Sequence, residues 1–178
     1  MIPTILTAGG SYFNFNEPEK SDIEIETIAH ALSHICRFTG HCTRFYSVAQ
    51  HCYMASFVVP PDLALDGLMH DAAEAYIGDV SKPLKVLLPD YAEIERQVEN
   101  ALIQHFSLKH QDHPWIKRAD LIMLATEQRD LMPDIGENWF AGTDIVPMKD
   151  RIEPWDSKTA KLKFLQRFHN LTSTQVAA

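Results

Sequence analysis

The sequence predicts an all-α fold of about six helices, preceded by a small N-terminal β-hairpin. Three observations carry that prediction. Apolar residues recur at helical spacing in long stretches between Asp22 and Leu171. Loose alternation of the kind strands show is confined to the first twenty residues. Pro and Gly fall between the periodic stretches, where they end or begin helices rather than interrupt them.

"PTILT" and "SYFNF" flank Gly9-Gly10 and read as the two arms of a hairpin. In "SDIEIETIAHALSHICRF", Ile25, Ile28, Ala29, Leu32, Ile35 and Cys36 mark one helical face, with Ser21 or Asp22 as its N-cap. "TGHCTRFYS" reads as a loop around Gly40. "SVAQHCYMASFVV" is a second helix, stopped by Pro60-Pro61. "PDLALDGLMHDAAEAYIG" is a third, apolar nearly all round and therefore central. "GDVSKPLKVLLPD" is turn-rich with a short helical piece. "PDYAEIERQVENALIQHF" is a long amphipathic helix, and "SLKHQDHP" a polar loop. "PWIKRADLIMLATEQRDLM" is the next helix, with Pro114 suited to its first turn. Residues 133–155 are rich in Pro, Gly and Asp and read as irregular. "SKTAKLKFLQRFHNL" is a last helix. No repeat or linker divides the chain, so residues 1–178 read as one domain: the hairpin over 1–20, a core over 21–132, and the irregular segment with the last helix over 133–178.

Composition narrows the function. A net charge of −8 disfavours a polymeric nucleic acid as partner, but not a small anion held by local cations or a metal. Cys36, Cys42 and Cys52 are odd in number and form no CxxC pair, which points to a reducing cytoplasm rather than a disulfide framework. The start has no cationic n-region with a long apolar core, so no signal peptide is expected. No apolar run of membrane-spanning length occurs, so no membrane association is expected.

Within this ordinary composition one stretch stands out. "GLMHDAAEAY", Gly67 to Tyr76, reads as a buried helix, yet it carries His70, Asp71 and Glu74. Each is costly to bury without a partner. Residues four apart share a helical face, so His70 and Glu74 are expected to point the same way, with Asp71 one step round. His51 and Asp120 also interrupt apolar patterns, in "SVAQHCYMA" and "IKRADLIML". A lone histidine on such a face is usually a hydrogen-bonded core residue. Four ionisable groups in helix interiors make better sense gathered around one divalent cation, as helical bundles arrange them. Two imidazoles and two carboxylates suit Mn, Co, Zn, Fe, Ni or Mg with positions left open for water or substrate.

His51, then His70-Asp71, then Asp120, each on a helix of an all-α chain, resembles the H…HD…D signature of the HD-domain phosphohydrolase superfamily. "ICRFTGHCTRFYSVAQH", "HDAAEAYIGDVSKPLK" and "IKRADLIMLATEQRDLM" are similar to the small bacterial and phage branch related to 5′-deoxynucleotidases. The resemblance implies His51, His70, Asp71 and Asp120 as metal ligands. It implies Glu74 as the proton-handling acid and Asp79 as a second catalytic acid near the sugar and the attacking water. Arg37 and Phe38 match a pair in which Arg holds phosphate and a ring, Trp in the family, stacks on the base. The implied activity is release of phosphate from deoxynucleoside monophosphates. The alternative is release of tripolyphosphate from a dNTP.

Chemistry of the residues agrees with these roles. Arg suits phosphate through its planar fork. Lys82 and Lys85 add positive charge after the HD stretch, and His41 can line the same pocket. His30 and His34 have a chelating spacing, but "HALSH" lacks the glutamate of a metalloprotease pattern. His105, His110 and His113 precede Asp120; in oxygenase-like members of the superfamily, extra histidines in that interval hold a second iron. A di-iron oxygenase and a non-catalytic nucleotide-binding regulator are therefore rival readings. Glu74 argues against the regulator, because binding alone does not require it. A homodimer or higher homo-oligomer is expected.

Overall fold

The computed structural model describes residues 3–175, so the outermost ends of the single-domain span, residues 1–2 and 176–178, lie outside it. The chain is helical apart from one two-stranded sheet. Strands β1 (Thr4–Leu6) and β2 (Tyr12–Asn14) pair antiparallel, with Ile5 opposite Phe13. Phe13 is fully buried and stacks on Tyr76 at 3.9 Å between ring centroids, which seats the hairpin on the core.

Helix α1 spans Ile25–His34. Neither expected cap closes it: Glu24 holds the cap position, and the Ser21 hydroxyl instead accepts from the Asn14 amide at 2.9 Å. The helix also ends before Ile35 and Cys36, because Cys36 is drawn into a bridge with Ser47. Arg37–Gly40 forms a single tight turn in which Phe38, Thr39 and Gly40 all have positive φ. Helix α2 (Val48–Val58) starts where expected, with the Ser47 hydroxyl accepting from the Gln50 amide.

The stretch read as one central helix is broken. A 3₁₀ turn at Pro61–Leu63 leads into α3 (Ala64–Met69), which is buried throughout. The α pattern then stops, and α4 (Glu74–Ile77) follows after a tighter turn. The cause is local. The Gly67 carbonyl accepts from the His70 ring Nδ1–H at 2.9 Å. Beyond it the backbone bonds run between residues three apart: Ala72 to Met69, Glu74 to Asp71 and Tyr76 to Ala73. Residues three apart are aligned in such a turn, so Glu74 shares a face with Asp71 rather than with His70. That corrects the four-residue spacing expected from the sequence.

The remaining helices are α5 (Lys82–Lys85), α6 (Pro89–Phe106), α7 (Pro114–Leu131) and α8 (Ser157–Gln175). Helix α8 packs on α1, α2 and α3, while α7 lies along the other side of α2. Residues 132–156 form no helix or strand and are tied down by polar contacts. Arg129 donates to the Met148 and Asp150 carbonyls, the buried Asp130 carboxylate accepts from the Ile152 amide, and the Gln50 side chain brackets Glu153 and Trp155. No helix among the described residues is long and apolar enough to cross a membrane.

Candidate metal centre

The central problem of this fold is where α2, the α3–α4 turn and α7 meet. His51 comes from α2, His70 and Asp71 from the turn, and Asp120 from α7. Their donor atoms converge. His51 Nε2 lies 3.1 Å from His70 Nε2, 3.4 Å from Asp71 Oδ2 and 3.4 Å from Asp120 Oδ1. His70 Nε2 lies 3.2 Å from Asp71 Oδ2. Ligands about 2.1 Å from one ion stand about 3.0 Å apart at right angles and about 3.4 Å apart at the tetrahedral angle. Each of these pairs therefore has the spacing of neighbouring ligands in one metal shell, and His51, His70 and Asp120 together form a group that could hold an ion.

The protons reinforce this. His51 Nδ1–H donates to Glu127 Oε1 at 2.6 Å, and His70 Nδ1–H donates to the Gly67 carbonyl. Both acceptors fix the tautomer with the Nε2 lone pair exposed. Two lone pairs and two carboxylates then face one another, an arrangement that needs a positive charge between them. In the metal-free chain protons supply it. Burial works against charge on His70, but Asp71 and Cys52 together hold the imidazole well above its ordinary value. Against burial, His70 above all holds Asp71 low, and His51 above all holds Asp120 low.

Behind the cluster lies a residue that the sequence reading did not single out. Glu127 is fully buried, accepting from His51 with one oxygen and from Arg37 Nη2 with the other at 3.0 Å. Its signal was its distance from Asp120. Seven residues are two turns, so both carboxylates lie on one face of α7. Arg37 also donates from Nη1 to Asp71 Oδ2 at 3.4 Å. Its fork thus grips two carboxylates of the centre itself, and its buried Nε has no partner. Asp71, Asp120 and Glu127 against Arg37 leave two negative charges, which one dication balances. Cys52, also not singled out, brings its sulfur close to His70 and Asp71. Burial pushes that thiol up to about 11, so it stands there as a neutral group.

Glu74 borders the cluster. It is buried, and its Oε2 has no hydrogen-bond partner. Burial above all, then the charges of Asp71 and Asp79, push its carboxyl up to about 10. Asp79 is raised too, mainly by burial, with Arg37 opposing. Lys85 is held by Glu95 and lies over the Tyr91 ring, while Lys82 and His41 are exposed. Phe38 is half-buried, with the Arg37 guanidinium 5.6 Å and the Trp139 ring 6.2 Å from its centroid. His105, His110 and His113 stay apart from the centre, and His113 caps α7 through Trp115. His30 and His34 stack on each other, and His34 Nδ1–H donates to the His30 carbonyl.

The cluster is sealed behind and open in front. His51 has no exposed side-chain surface, whereas Asp71 is 21% and Asp120 40% exposed. In front of His70 and Asp120 a cavity of about 490 Å³ runs between α6 and α7.

Comparison with known proteins gives relatives and no activity. No family model matches the chain. It is 42% identical over 176 residues to the uncharacterized protein YfdR of Escherichia coli (strain K12), covering 98% of both chains. It is 32% identical over 120 residues to the uncharacterized protein RCAP_rcc00048 of Rhodobacter capsulatus, covering 62% of this chain and 61% of that one.

Proposed function

The chain belongs to one family with YfdR, and we propose that it is a metal-dependent phosphohydrolase of the HD type acting on nucleotides. Its preferred reaction on this reading is release of phosphate from deoxynucleoside 5′-monophosphates. The observation that carries the proposal is the clustering of four acceptors, with His70 Nε2, Asp71 Oδ2 and Asp120 Oδ1 each within 3.4 Å of His51 Nε2 and both histidine tautomers fixed. A buried carboxyl beside them, Glu74, with one oxygen lacking a hydrogen-bond partner, supports a catalytic rather than a purely structural ion site.

A divalent ion held by these four residues supplies Lewis acidity, polarising a phosphoryl oxygen and acidifying a water. The chain does the rest. Glu127 and the Gly67 carbonyl hold the two imidazoles in orientation, and Arg37 holds Asp71 and Glu127. In the metal-free chain burial and acidic neighbours raise the Glu74 carboxyl, and on this reading Glu74 would deliver a proton to the leaving oxygen. Asp79 is the next acid along, near Asp71 and Glu74 in the same field.

The test is a panel of dNMPs and dNTPs with Mn²⁺, Co²⁺ or Mg²⁺, scored for both phosphate and tripolyphosphate. Phosphate from monophosphates is the expected result. Tripolyphosphate from a dNTP would replace the monophosphatase reading with the triphosphohydrolase one. Absence of both with every metal would end the phosphohydrolase reading. Iron-dependent oxygen uptake would transfer the centre to oxygenase chemistry.

A further inference from the structure

The cavity between α6 and α7 is larger than a metal and its waters need, and lies within the range of small-molecule sites. It meets the metal centre on its accessible side, where Asp120 is exposed, not at the sealed side occupied by His51, Glu127 and Arg37.

Its lining is specific in kind. Met69, Leu102, Ile103 and Ile116 give it an apolar floor. Of its two cations, Arg96 is already forked onto Glu93. Lys117 makes no hydrogen bond or ion pair among the described residues, and it shares a face of α7 with Asp120, three residues on. The outer part carries the Glu99 and Asp112 carboxylates together with the Asn100 amide. A chain of phosphates extending outward would meet those carboxylates after a single lysine. A neutral group bearing hydroxyls and ring amines would give them donors, and would lay a flat apolar face on the floor.

We propose that the α6–α7 cavity is the nucleoside subsite: it takes the uncharged part of a nucleoside monophosphate, with the phosphate between the metal centre and Lys117. The inference rests on the phosphohydrolase reading and places the nucleoside away from Phe38 and His41.

Calorimetric titration of the Mn²⁺-loaded full chain with dNMPs and dNTPs tests it, with wild type, Asn100→Trp and Lys117→Glu compared and metal content measured in each. Asn100→Trp fills the cavity from the exposed side of α6. It should weaken dNMP binding at least about tenfold with metal content unchanged. Lys117→Glu should weaken dNMP binding comparably through the phosphate. Equal dNMP affinity in wild type and both variants overturns the subsite, as does absence of dNMP binding to wild type. Loss of binding in Phe38→Ala but not in Asn100→Trp also overturns it, placing the nucleoside on the opposite side. Phosphate release is scored separately. Cavity-dependent binding without turnover would sink the hydrolase reading and keep the subsite, whereas turnover indifferent to Asn100→Trp would do the reverse.

Discussion

The back and the front of the metal centre are built from the same residue types and do opposite things. At the back, His51, Glu127 and Arg37 are buried and every charge has a partner: carboxylate to imidazole at 2.6 Å and carboxylate to guanidinium at 3.0 Å. In front, the Asp120 side chain is 40% exposed, and Glu74, beside Asp71 and buried, has an oxygen with no partner. The back fixes geometry through these paired charges, although the buried Arg37 Nε has no partner. The unsatisfied side is where a ligand and a proton still have something to gain.

The comparison breaks most completely at Asp71, which belongs to both sides through the donor cluster and Arg37. Asp71→Ala deletes an anionic ligand and leaves the Arg37 guanidinium with one carboxylate. Both bound metal, by elemental analysis, and phosphate release should be lost. Retained stoichiometric metal would mean that Asp71 is not a ligand. Glu74 lies wholly on the reactive side, so Glu74→Ala should keep the metal and lose roughly two to four orders of magnitude in turnover. A fall of less than about tenfold would move the proton to Asp79.

Glu74 also gives a pH signature in the metal-free chain. Its folded carboxyl stands at about 10 against an ordinary 4.5. The folded state therefore holds a proton that the unfolded chain has released. The stability involved is complete below 4.5 and is lost as pH rises toward about 10. Urea unfolding midpoints at about pH 6 and about pH 9 should differ in wild type and differ less in Glu74→Gln.

How much of this the sequence exposes depends on which side is asked about. The helices were legible because apolar spacing and prolines agree, as at Pro60-Pro61 and Pro114, while the caps named for α1 did not close it. The break after Met69 was not, since it depends on the His70 ring taking the Gly67 carbonyl, a side-chain bond that no periodicity carries. His51, His70, Asp71 and Asp120 were legible as polar intrusions into apolar helices. Glu127 was hidden because "TEQRD" reads as a solvated face, and only the fold shows that its Glu turns inward while Arg129 turns out. The α6–α7 cavity was hidden for the same reason: Asn100 and Glu99 are surface residues of an amphipathic helix until α7 lies opposite.

Glu127→Gln sharpens the contrast from behind. The amide oxygen can still accept from His51, but the anion is gone and Arg37 loses half its compensation. Outer partners of metal-binding histidines are typically worth about 10- to 100-fold in metal affinity. A chelator competition should show a loss of that size, with a lower melting temperature, because an uncompensated buried charge is destabilising. An unchanged metal affinity would make Glu127 a packing residue.

The smallest expected effect tests whether backbone strain beside Arg37 belongs to the rigid side. Phe38 and Thr39 have φ of 55° and 54°, a region unfavourable to side chains with a Cβ and most of all to a β-branched one. Phe38 has ring contacts with Arg37 and Trp139 that reward its position. Thr39 is exposed and holds no such contact. Glycine adopts this conformation without strain, although its unfolded chain gains entropy. Relief should win narrowly, so Thr39→Gly should stabilise the fold by about 0.5–1 kcal/mol, raising the melting temperature by roughly 1–4 °C. Metal affinity should stay within about twofold, because Arg37 is anchored by Asp71 and Glu127 rather than by the turn that follows it. A fall in melting temperature would show that the threonine side chain holds the turn. A marked loss of metal with a higher melting temperature would show instead that the strain itself presses Arg37 onto its carboxylates, and the rigid side would then extend into the turn.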